Sequence, residues 1–489
     1  MDFFYYPIPI IAAGLDLACI AAVIFLERKN PASTLAWILV LLLLPFAGFV
    51  LYMAFGSGFP VHKKKRFIAK AHRDALYDRY LAECLNIPPV AERRKAVPPS
   101  PALRLINYLD REGDGIYTPM NDAEFFYDGA SLFERMKEDM RRATKHIHLL
   151  YYTFRNDGLG REILDILEQK AREGVEVRLM YDGLGSLRWF SRMFEPLKKT
   201  GGAVRPFSSV LFDFSPHISL NYRNHRKLTI VDGQIGYIGS MNVGDEYLGI
   251  SQKLSPWRDT HLRLSGASVW FLQERFFMDW LHANKLPPDP AGLVEYFPPP
   301  RNNVDKEGLG VQIVSSGPDT QEQAPIKSGI MAMLYNAVHE VLIQTPYFTP
   351  DDSFLDALRI AAGSNVAVKL MLPDRNDSLL AHHANFAFAR QVADYGVKVY
   401  LYRGFLHAKT VTCDRQVVSI GSSNMDIRSF SLNFEVNAFI HNAALAAGHA
   451  RQFEADLENC TPATPEWLYA RGFWARGVSQ VARLFGPLI

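Results

Sequence analysis

The chain has 489 residues, of which 48% are hydrophobic and 21% are charged, and its formal net charge at pH 7 is +2. This length exceeds a single ordinary hydrophobic core and favours two or more domains. The near-neutral charge argues against the broad basic surface of most nucleic-acid-binding proteins, so we expect no nucleic-acid partner. The four cysteines show neither metal-ligand spacing nor a disulfide framework, and we interpret them as reduced thiols.

Residues 1–60 are predicted to form a transmembrane hairpin. The segment 7–26 is apolar except for Asp16, and the segment 35–55 carries no charge. Each segment is long enough to cross the roughly 30 Å of hydrocarbon in a bilayer. A signal peptide followed by a buried helix is the alternative, but the N-terminus lacks the positive charges of a signal peptide. We expect Pro45 to kink the second helix, and Asp16 to lie near a membrane boundary or to pack on that helix.

The basic residues predict the orientation of this hairpin. Arg28 and Lys29 lie in its short loop, whereas VHKKKRFIAKAHR, from Val61 onwards, contains six lysines or arginines. The positive-inside rule therefore places the rest of the chain on the cytoplasmic side of the cell (inner) membrane. The basic cluster could also attract anionic headgroups, at about 1 kcal/mol per cation, or act only as a topology signal. It belongs to a juxtamembrane segment and proline-rich linker, residues 61–101.

The remaining chain repeats itself, in residues 102–296 and 304–489. KHIHLLYYTF in the first half resembles HEVLIQTPYF in the second, and GVEVRLMYDGLGS resembles NVAVKLMLPDRND. Each half alternates short Val/Ile/Leu runs with amphipathic stretches, which is typical of an α/β fold. We expect two α/β lobes, each with a mostly parallel sheet flanked by helices. A pseudo-twofold axis would relate the lobes, with a site where they meet.

One repeated block carries the candidate chemistry. Both halves contain His-x-Lys, four residues, Asp, six residues and Gly-Ser-x-Asn. A lone His-x-Lys would be uninformative, but two copies at the same offsets are difficult to obtain by chance. The matching residues are His225, Lys227, Asp232, Ser240 and Asn242 in the first copy and His407, Lys409, Asp414, Ser422 and Asn424 in the second.

Each block is predicted to form a strand, a hairpin turn and a return strand. Side chains alternate along a strand, so His225 and Lys227 would lie on one face. Asp232 and Asp414 belong to the catalytic motif, but each falls at the end of its strand and on the opposite face from the histidine and the lysine. We therefore expect them to hold the turn or to pair with a basic residue. The Ser and Asn side chains after the return strand could donate hydrogen bonds to an anion.

Two imidazoles, two ammonium groups and two amides around one centre fit a phosphodiester. Its transition state gains negative charge on the non-bridging oxygens, which the lysines and asparagines would stabilise without a metal or another cofactor. One histidine would attack phosphorus, while the other, protonated, would give a proton to the leaving alcohol.

Each imidazole also needs a group that orients its second nitrogen. Asp259 follows the first block and Glu435 follows the second. We expect Asp259 behind His225 and Glu435 behind His407, the alternative being that both are ordinary surface carboxylates.

The C-terminal stretch PEWLYARGFWARGVSQVARLFGPLI combines aromatic residues with arginines. This composition favours an amphipathic segment in the membrane interface. Packing of the same stretch on the catalytic lobes is an equally good alternative.

The doubled motif resembles the signature of the phospholipase D superfamily. The chain is similar in particular to the bacterial cardiolipin synthases, over nearly its full length. The N-terminal hairpin and the phrases NYRNHRK, GSMNVGDEY, TPYFTPD and SSNMDIRSFSLNFE carry this similarity. The resemblance implies two phospholipase D-like lobes around one active site, phospholipid substrates and a phosphatidyl-histidine intermediate.

By this resemblance, one phosphatidylglycerol would transfer its phosphatidyl group to a histidine and release glycerol, and a second would then attack to give cardiolipin. His225 would be the nucleophile and His407 the acid and then the base, with the reverse order open. The phosphate would be bound by Lys227, Lys409, Asn242 and Asn424. The alternatives are a lipid hydrolase, a membrane-bound nuclease and an inactive membrane scaffold, although neither copy of the motif is broken as a scaffold would predict.

Overall fold

The computed structural model describes residues 7–25, 31–44, 46–55, 103–112, 115–183, 185–186, 192–207, 222–250, 254–284, 293–300, 308–318, 324–470 and 472–486. The helices are α1 (Pro7–Phe25), α2 (Pro31–Leu43), α3 (Ala47–Phe55), α4 (Leu103–Glu112), α5 (Gly129–Arg141), α6 (Gly158–Arg172), α7 (Glu195–Lys199), α8 (Ser268–Asn284), α9 (Pro325–Asn336), α10 (Asp352–Gly363), α11 (Leu379–Asp394), α12 (Ile427–Ser431), α13 (Ala443–Leu457), α14 (Pro465–Ala470) and α15 (Phe473–Leu484). Short 3-10 helices cover Asp245–Leu248 and Val294–Tyr296.

The strands are β1 (Thr118–Phe126), β2 (His146–Tyr151), β3 (Glu176–Tyr181), β4 (Ala203–Pro206), β5 (Leu228–Val231), β6 (Ile235–Gly239), β7 (Trp257–Arg258), β8 (His261–Gly266), β9 (Leu309–Ser316), β10 (Glu340–Gln344), β11 (Phe348–Thr349), β12 (Ala367–Pro373), β13 (Lys398–Tyr402), β14 (Phe405–Leu406), β15 (Thr410–Cys413), β16 (Val417–Gly421), β17 (Met425–Asp426), β18 (Glu435–His441) and β19 (Cys460–Pro462). The predicted basic segment and linker, residues 61–101, lie outside the described residues.

Three apolar helices occupy the predicted hairpin. The second apolar stretch is divided, because α2 ends at Leu43 and α3 begins at Ala47. This break coincides with the expected kink, although Pro45 itself lies outside the described residues. Within the break, the backbone amide of Phe46 donates a hydrogen bond of 3.1 Å to the carboxylate of Asp16. Asp16 therefore packs on the second stretch, which was one of its two expected positions.

Within the part of the chain that the structure describes, no helix combines the length and the apolar character needed to cross a membrane.

One 15-stranded sheet contains the strands of both repeated halves, in the order β19-β13-β12-β10-β15-β16-β18-β9-β1-β8-β6-β5-β2-β3-β4. From the central β1–β9 pair outwards, the first half contributes β1, β8, β6, β5, β2, β3 and β4. The second half contributes their counterparts β9, β18, β16, β15, β10, β12 and β13 in the same order. The two halves are thus α/β lobes with the same topology, and the antiparallel β1–β9 pair joins them. This confirms the expectation of two lobes with an internal repeat.

The prediction that each sheet is mostly parallel is wrong. Among the described strands of the 15-stranded sheet, only β2, β3 and β4 of the first lobe and β10, β12 and β13 of the second lobe are parallel neighbours. The physical reason is that each motif block folds back on itself, as the β5–β6 and β15–β16 hairpins, and hairpin neighbours are necessarily antiparallel. The strands β5 and β15 also begin after the His-x-Lys residues rather than including them.

The amphipathic stretches form the expected helices with acidic N-caps. The carboxylate of Asp157 accepts a hydrogen bond of 3.1 Å from the backbone amide of Gly160 at the start of α6, and Asp351 caps α10 in the same way through Phe354, also at 3.1 Å. The helix α6 buries one apolar face, formed by Leu159, Ile163, Leu164, Ile166 and Leu167. This spacing matches the period of an α-helix, so one side of α6 packs on the sheet.

The C-terminal helix α15 packs on the second lobe with one face. Ser479 and Ala482 are buried, and the Arg483 guanidinium lies 4.9 Å from the ring centroid of Phe388 on α11. The opposite face is exposed and apolar, with Trp474 at 83% exposure, followed by Val478, Val481 and Leu484. Packing on the catalytic lobes is therefore confirmed for one face, while a membrane contact of the other face stays a prediction.

Asp232 and Asp414 hold the hairpin turns. Both residues adopt left-handed backbone conformations, with φ of 54° and 48°, which Asp tolerates better than most residues. The carboxylate of Asp232 accepts hydrogen bonds from three consecutive backbone amides, those of residues 144–146, at 2.8–3.0 Å. Asp414 binds the amides of residues 338–340 in the same way, at 2.7–2.8 Å. Both lie at the far end of their strand from the histidine, so neither contacts the reacting groups.

We therefore expect Asp232→Asn and Asp414→Asn each to lower the free energy of unfolding by about 1–3 kcal/mol, because each change removes a charged acceptor from three backbone amides that hold the turn. The specific activity of the folded fraction should stay close to that of the unchanged protein. Chemical denaturation and an activity assay would measure both quantities. Asp356→Asn, at an exposed position on α10, is the control, and a stable Asp232→Asn variant without turnover would contradict this structural role.

Candidate active site

Two short inter-lobe contacts bring the motif blocks together. β7 of the first lobe pairs in parallel with β14 of the second, and the backbone amide of His407 donates to the carbonyl of Arg258 at 2.7 Å. In the mirror contact, Asn224 forms a bridge with Phe434, and the amide of His225 donates to the carbonyl of Phe434 at 2.9 Å. Each histidine is the first residue of its block, and its backbone amide is hydrogen-bonded to the other lobe.

The orienting carboxylates are exchanged between the lobes. His225 Nδ1 lies 3.0 Å from Glu435 Oε1, and His407 Nδ1 lies 2.8 Å from Asp259 Oδ2. Our assignment of Asp259 to His225 and of Glu435 to His407 is therefore wrong. The reason is that β7 of the first lobe pairs with the second lobe, and Phe434 of the second lobe pairs with the first. Asp259 and Glu435 directly follow these segments, so each lies beside the histidine of the other lobe. Both carboxylates are 0% exposed, so the surface alternative is also wrong.

The environment of the imidazoles disfavours their charged form. Burial lowers the pKa of His225 to about 4, although the charge of Glu435 raises it. Burial and the Lys409 ammonium lower the pKa of His407, also to about 4, while Asp259 raises it. Because each carboxylate binds Nδ1, the Nε2 atom of each ring is left for chemistry. A bound phosphate would add negative charge and favour the protonated form of whichever imidazole acts as the acid.

Both motif lysines are buried beside these rings. Lys409 Nζ lies 3.1 Å from His407 Nε2 and donates to the His407 carbonyl at 2.8 Å, and Lys227 donates to the carbonyl of His225. Burial lowers the pKa of Lys409 to about 8, and that of Lys227 well below its ordinary value. An anion bound at the reactive nitrogens would raise the pKa of both lysines and so favour their charged form. The site is therefore built to bind a negatively charged group.

The motif serines donate to the orienting carboxylates, and binding of an anion by these serines stays a prediction. Ser240 Oγ donates to the carboxylate of Asp259 and also lies 2.7 Å from the carbonyl oxygen of Thr260. Ser422 Oγ donates to the carboxylate of Glu435. A buried carboxylate needs such donors to remain charged, so each serine stabilises the group that orients the histidine of the other lobe.

The motif asparagines differ in their contacts. Asn242 donates to the hydroxyl of Tyr247 at 2.6 Å and accepts a hydrogen bond from the amide of Thr153 at 3.1 Å. Asn424 Oδ1 is buried and has no hydrogen-bond partner among the described residues. Binding of phosphate by either asparagine stays a prediction.

Aromatic side chains pack against both imidazoles. The ring of Tyr152 packs edge-on against His225 at a centroid distance of 5.1 Å, and Lys227 Nζ lies 5.4 Å from the same ring. Trp257 and Tyr247 pack beside His407 at 5.6 and 5.8 Å. Tyr152 belongs to the segment YYTFRND, whose aromatics could equally have been core residues. Nothing in the sequence singles out Trp257 except its position two residues before Asp259.

A buried ion pair that the sequence did not reveal supports the first block. The guanidinium of Arg226 is 0% exposed and donates to both carboxylate oxygens of Asp279 at 2.8 Å. It also donates to the carbonyl of Glu435 at 3.1 Å. Asp279 lies on α8, 53 residues further along the chain, so no local pattern links the two residues. The pair fixes the block against a helix of its own lobe and against the strand β18 of the other.

The exchanged pairing predicts which histidine responds to each carboxylate. Because Glu435 raises the pKa of His225, Glu435→Gln should lower the titration midpoint of His225 and leave that of His407 nearly unchanged. Asp259→Asn should lower that of His407 instead. NMR of isotope-labelled histidine rings as a function of pH would measure both midpoints. Ser353→Ala, at an exposed position of α10, is a control. If Glu435→Gln shifted only His407, the pairing would be incorrect.

Models of known protein families match the parts of the chain that contain the two motif blocks and the apolar N-terminal region. The family described as "Cardiolipin synthase, PLD-like domain" matches residues 136–253 and 330–457, which contain the two motif blocks. The family "Phospholipase_D-nuclease N-terminal" matches residues 14–57, the apolar N-terminal region. The crystal structure of phosphatidylserine synthase from Haemophilus influenzae has a similar fold, with a TM-score of 0.60 and 14% identity, over 80% of this chain and 98% of that chain.

Curated relatives extend the similarity to nearly the whole length. A cardiolipin synthase of Oceanobacillus iheyensis is 40% identical over 486 residues, which is 97% of both chains. The major cardiolipin synthase ClsA of Bacillus subtilis is 39% identical over 483 residues, again 97% of both chains. The chain therefore belongs to the phospholipase D superfamily and, within it, to the bacterial cardiolipin synthase family.

Proposed function

We propose that this site transfers a phosphatidyl group from one phosphatidylglycerol to another and releases glycerol. Identity of about 40% to cardiolipin synthases over 97% of the chain makes the protein a cardiolipin synthase, a phosphatidyltransferase. The observation that supports the mechanism is the pair of buried imidazole–carboxylate contacts around one centre, each of which joins a histidine of one lobe to a carboxylate of the other. Such a doubled arrangement provides a nucleophile and a separate proton carrier, which a two-step transfer requires.

In the first step, Nε2 of one histidine attacks the phosphorus of phosphatidylglycerol. A P–N bond forms, the bond from phosphorus to the glycerol oxygen breaks, and the other histidine gives its proton to that oxygen. Free glycerol leaves, and the phosphatidyl group stays on the imidazole.

In the second step, a hydroxyl of another phosphatidylglycerol attacks the same phosphorus. The second histidine takes the proton of that hydroxyl, a P–O bond forms and the P–N bond breaks. Cardiolipin leaves, and both imidazoles return to their starting state. In both steps Lys227 and Lys409 stabilise the negative charge on the non-bridging oxygens, where buried cations act most strongly.

We propose further that the N-terminal apolar region anchors the enzyme as a transmembrane hairpin. The uncharged residues 35–55 and the nearly uncharged residues 7–26 support this assignment, as does the match of residues 14–57 to an N-terminal family. The larger basic cluster after the hairpin favours a catalytic domain on the cytoplasmic side of the cell membrane. This position would give the site access to phosphodiesters at the level of the lipid headgroups.

The purified protein, incubated with phosphatidylglycerol alone, should produce cardiolipin and glycerol in equal amounts. His225→Ala and His407→Ala should each lower the rate by about a thousandfold or more, because each step needs both imidazoles. Lipid analysis and an enzymatic glycerol assay would measure the products, with the exposed His339→Ala as the control.

Two results would contradict this function. Phosphatidic acid as the main product would identify a hydrolase that uses water. Near-normal turnover in either histidine variant would exclude a site shared between the lobes.

The orientation can be tested at the short hairpin loop. In a chain whose native cysteines are replaced by serine, Asn30→Cys should react in intact cells with a thiol reagent that cannot cross the membrane. The physical reason is the larger basic cluster after the hairpin, which keeps the following domain inside. Ser353→Cys, at an exposed position of α10, is the control and should react only after lysis. Labelling of Asn30→Cys only after lysis would overturn this orientation.

A further inference from the structure

The helix α15 carries an exposed apolar face. Five large side chains, with exposed fractions between 44% and 83%, form this α15 apolar face: Trp474, Val478, Val481, Leu484 and Phe485. Their spacing puts them on one side of a helix. The other side packs on the second lobe, where Ser479 and Ala482 are buried. Because contiguous exposed apolar side chains mark a contact with a protein or a membrane, this face indicates a partner other than water.

The same part of the chain is cationic. From Trp467 to the C-terminus it contains three arginines, Arg471, Arg476 and Arg483, and neither aspartate nor glutamate. Arg476 also lines a cleft between α11, α14 and α15, together with Arg390 of α11. An amphipathic helix with basic residues and an aromatic apolar face fits the interface of a bilayer with anionic headgroups. Phosphatidylglycerol, the proposed substrate, has such a headgroup.

The end of α15 lies against a segment that leads to the active site. Gly486, which directly follows Phe485, contacts Thr349, whose hydroxyl donates to the Gly486 carbonyl at 3.5 Å. Thr349 belongs to β11, and β11 pairs with β17, which begins directly after Asn424 of the second motif block. The β11–β17 pair thus lies between the end of α15 and the second half of the catalytic motif.

A second exposed apolar side chain borders the same segment. Leu379, at the start of α11, is 82% exposed. Two residues before it, Asp377 accepts a hydrogen bond of 2.7 Å from the hydroxyl of Tyr347, which lies two residues before Thr349. Burial lowers the pKa of Lys409, whereas Asp377 is among the acids whose charge raises it. Exposed apolar side chains of α11 and α15 therefore border the part of the second lobe that adjoins the site.

We propose that the α15 apolar face inserts into the interface of an anionic lipid bilayer and holds the second half of the site at the level of the headgroups. The bilayer explains both the cationic composition of this stretch and its position, because the substrate of the adjoining site is itself an anionic lipid. A second copy of the chain would explain neither. The contact goes beyond the proposed N-terminal hairpin: the hairpin would tether the chain, whereas α15 would decide which side of the lobes faces the lipid.

The first experiment measures lipid contact in the full chain. In a chain whose native cysteines are replaced by serine, Val481→Cys would carry an environment-sensitive fluorophore, and the protein would be reconstituted in vesicles of phosphatidylglycerol and phosphatidylcholine. Lipids with a spin label close to the headgroup should quench this fluorophore about twofold or more, because an interfacial helix lies at the boundary of headgroups and acyl chains. Quenching should be weaker in vesicles of phosphatidylcholine alone, which lack the anionic headgroups.

The control is Ser353→Cys, at an exposed position of α10, whose fluorophore should not be quenched by the lipid. Quenching of the Val481→Cys fluorophore that is absent, or equal in the two kinds of vesicle, would overturn the proposal. Energy transfer between fluorophores on two copies of the chain, without quenching by the lipid, would identify a second copy as the occupant and would also overturn it.

The second experiment tests what the contact does for the reaction. Val478→Glu should lower cardiolipin formation in vesicles about fivefold or more, and leave transfer between short-chain, water-soluble phosphatidylglycerol molecules within about twofold. The reason is that only the bilayer substrate requires the α15 apolar face. Ile360→Glu on α10 is the matched control, because Val478 and Ile360 are both 49% exposed, and it should change neither rate.

Retained turnover of the short-chain substrate shows that Val478→Glu is folded. An equal loss of both reactions, or no loss in vesicles, would overturn the contribution of α15 to the reaction. The proposal uses the proposed function only for the identity of the substrate, and the two can fail separately. If the unchanged protein formed no cardiolipin, the labelled Val481→Cys would still be quenched by anionic vesicles, since quenching needs no turnover.

Discussion

Two imidazole–carboxylate contacts across the lobe boundary are the constraint on which the rest of the structure depends. His225 takes its carboxylate from Glu435 of the second lobe, and His407 takes its carboxylate from Asp259 of the first. Neither lobe can orient its own histidine. The two lobes must therefore be held in register within the tolerance of a hydrogen bond, and the continuous sheet through β1 and β9 and the β7–β14 pair provide that register.

Burial gives these contacts their strength and also makes them costly. Glu435, Asp259, Lys227 and Lys409 are almost completely removed from solvent, and isolated charges in such a position are unfavourable. Serine hydroxyls, backbone carbonyls and the neighbouring opposite charges compensate for the lost water. The charge that these groups leave uncompensated lies at the reactive nitrogens, where an anionic phosphate would balance it. Affinity for the diester and stabilisation of its transition state thus have one electrostatic origin.

The sequence predicted the features that depend on local or repeated patterns. The two lobes, the hairpin turns at Asp232 and Asp414, and the capped helices α6 and α10 follow from spacing, turn chemistry and periodicity. The parallel sheet was wrong because a pattern of apolar runs does not reveal strand direction. The contacts of the serines with Asp259 and Glu435 were not predicted, because these residues become neighbours only after the sheet has formed.

The sequence by itself determined the family, the doubled set of catalytic side chains and the structural role of the motif aspartates, since each of these depends on residue types at fixed offsets. Only the tertiary structure decided which carboxylate serves which histidine and how Arg226 is anchored. Glu435 lies 210 residues from the histidine it orients. Contacts at such separations depend on how strands of different lobes pair, and a repeated sequence is compatible with either pairing. The exchange of carboxylates between the lobes is therefore a property of the assembled sheet.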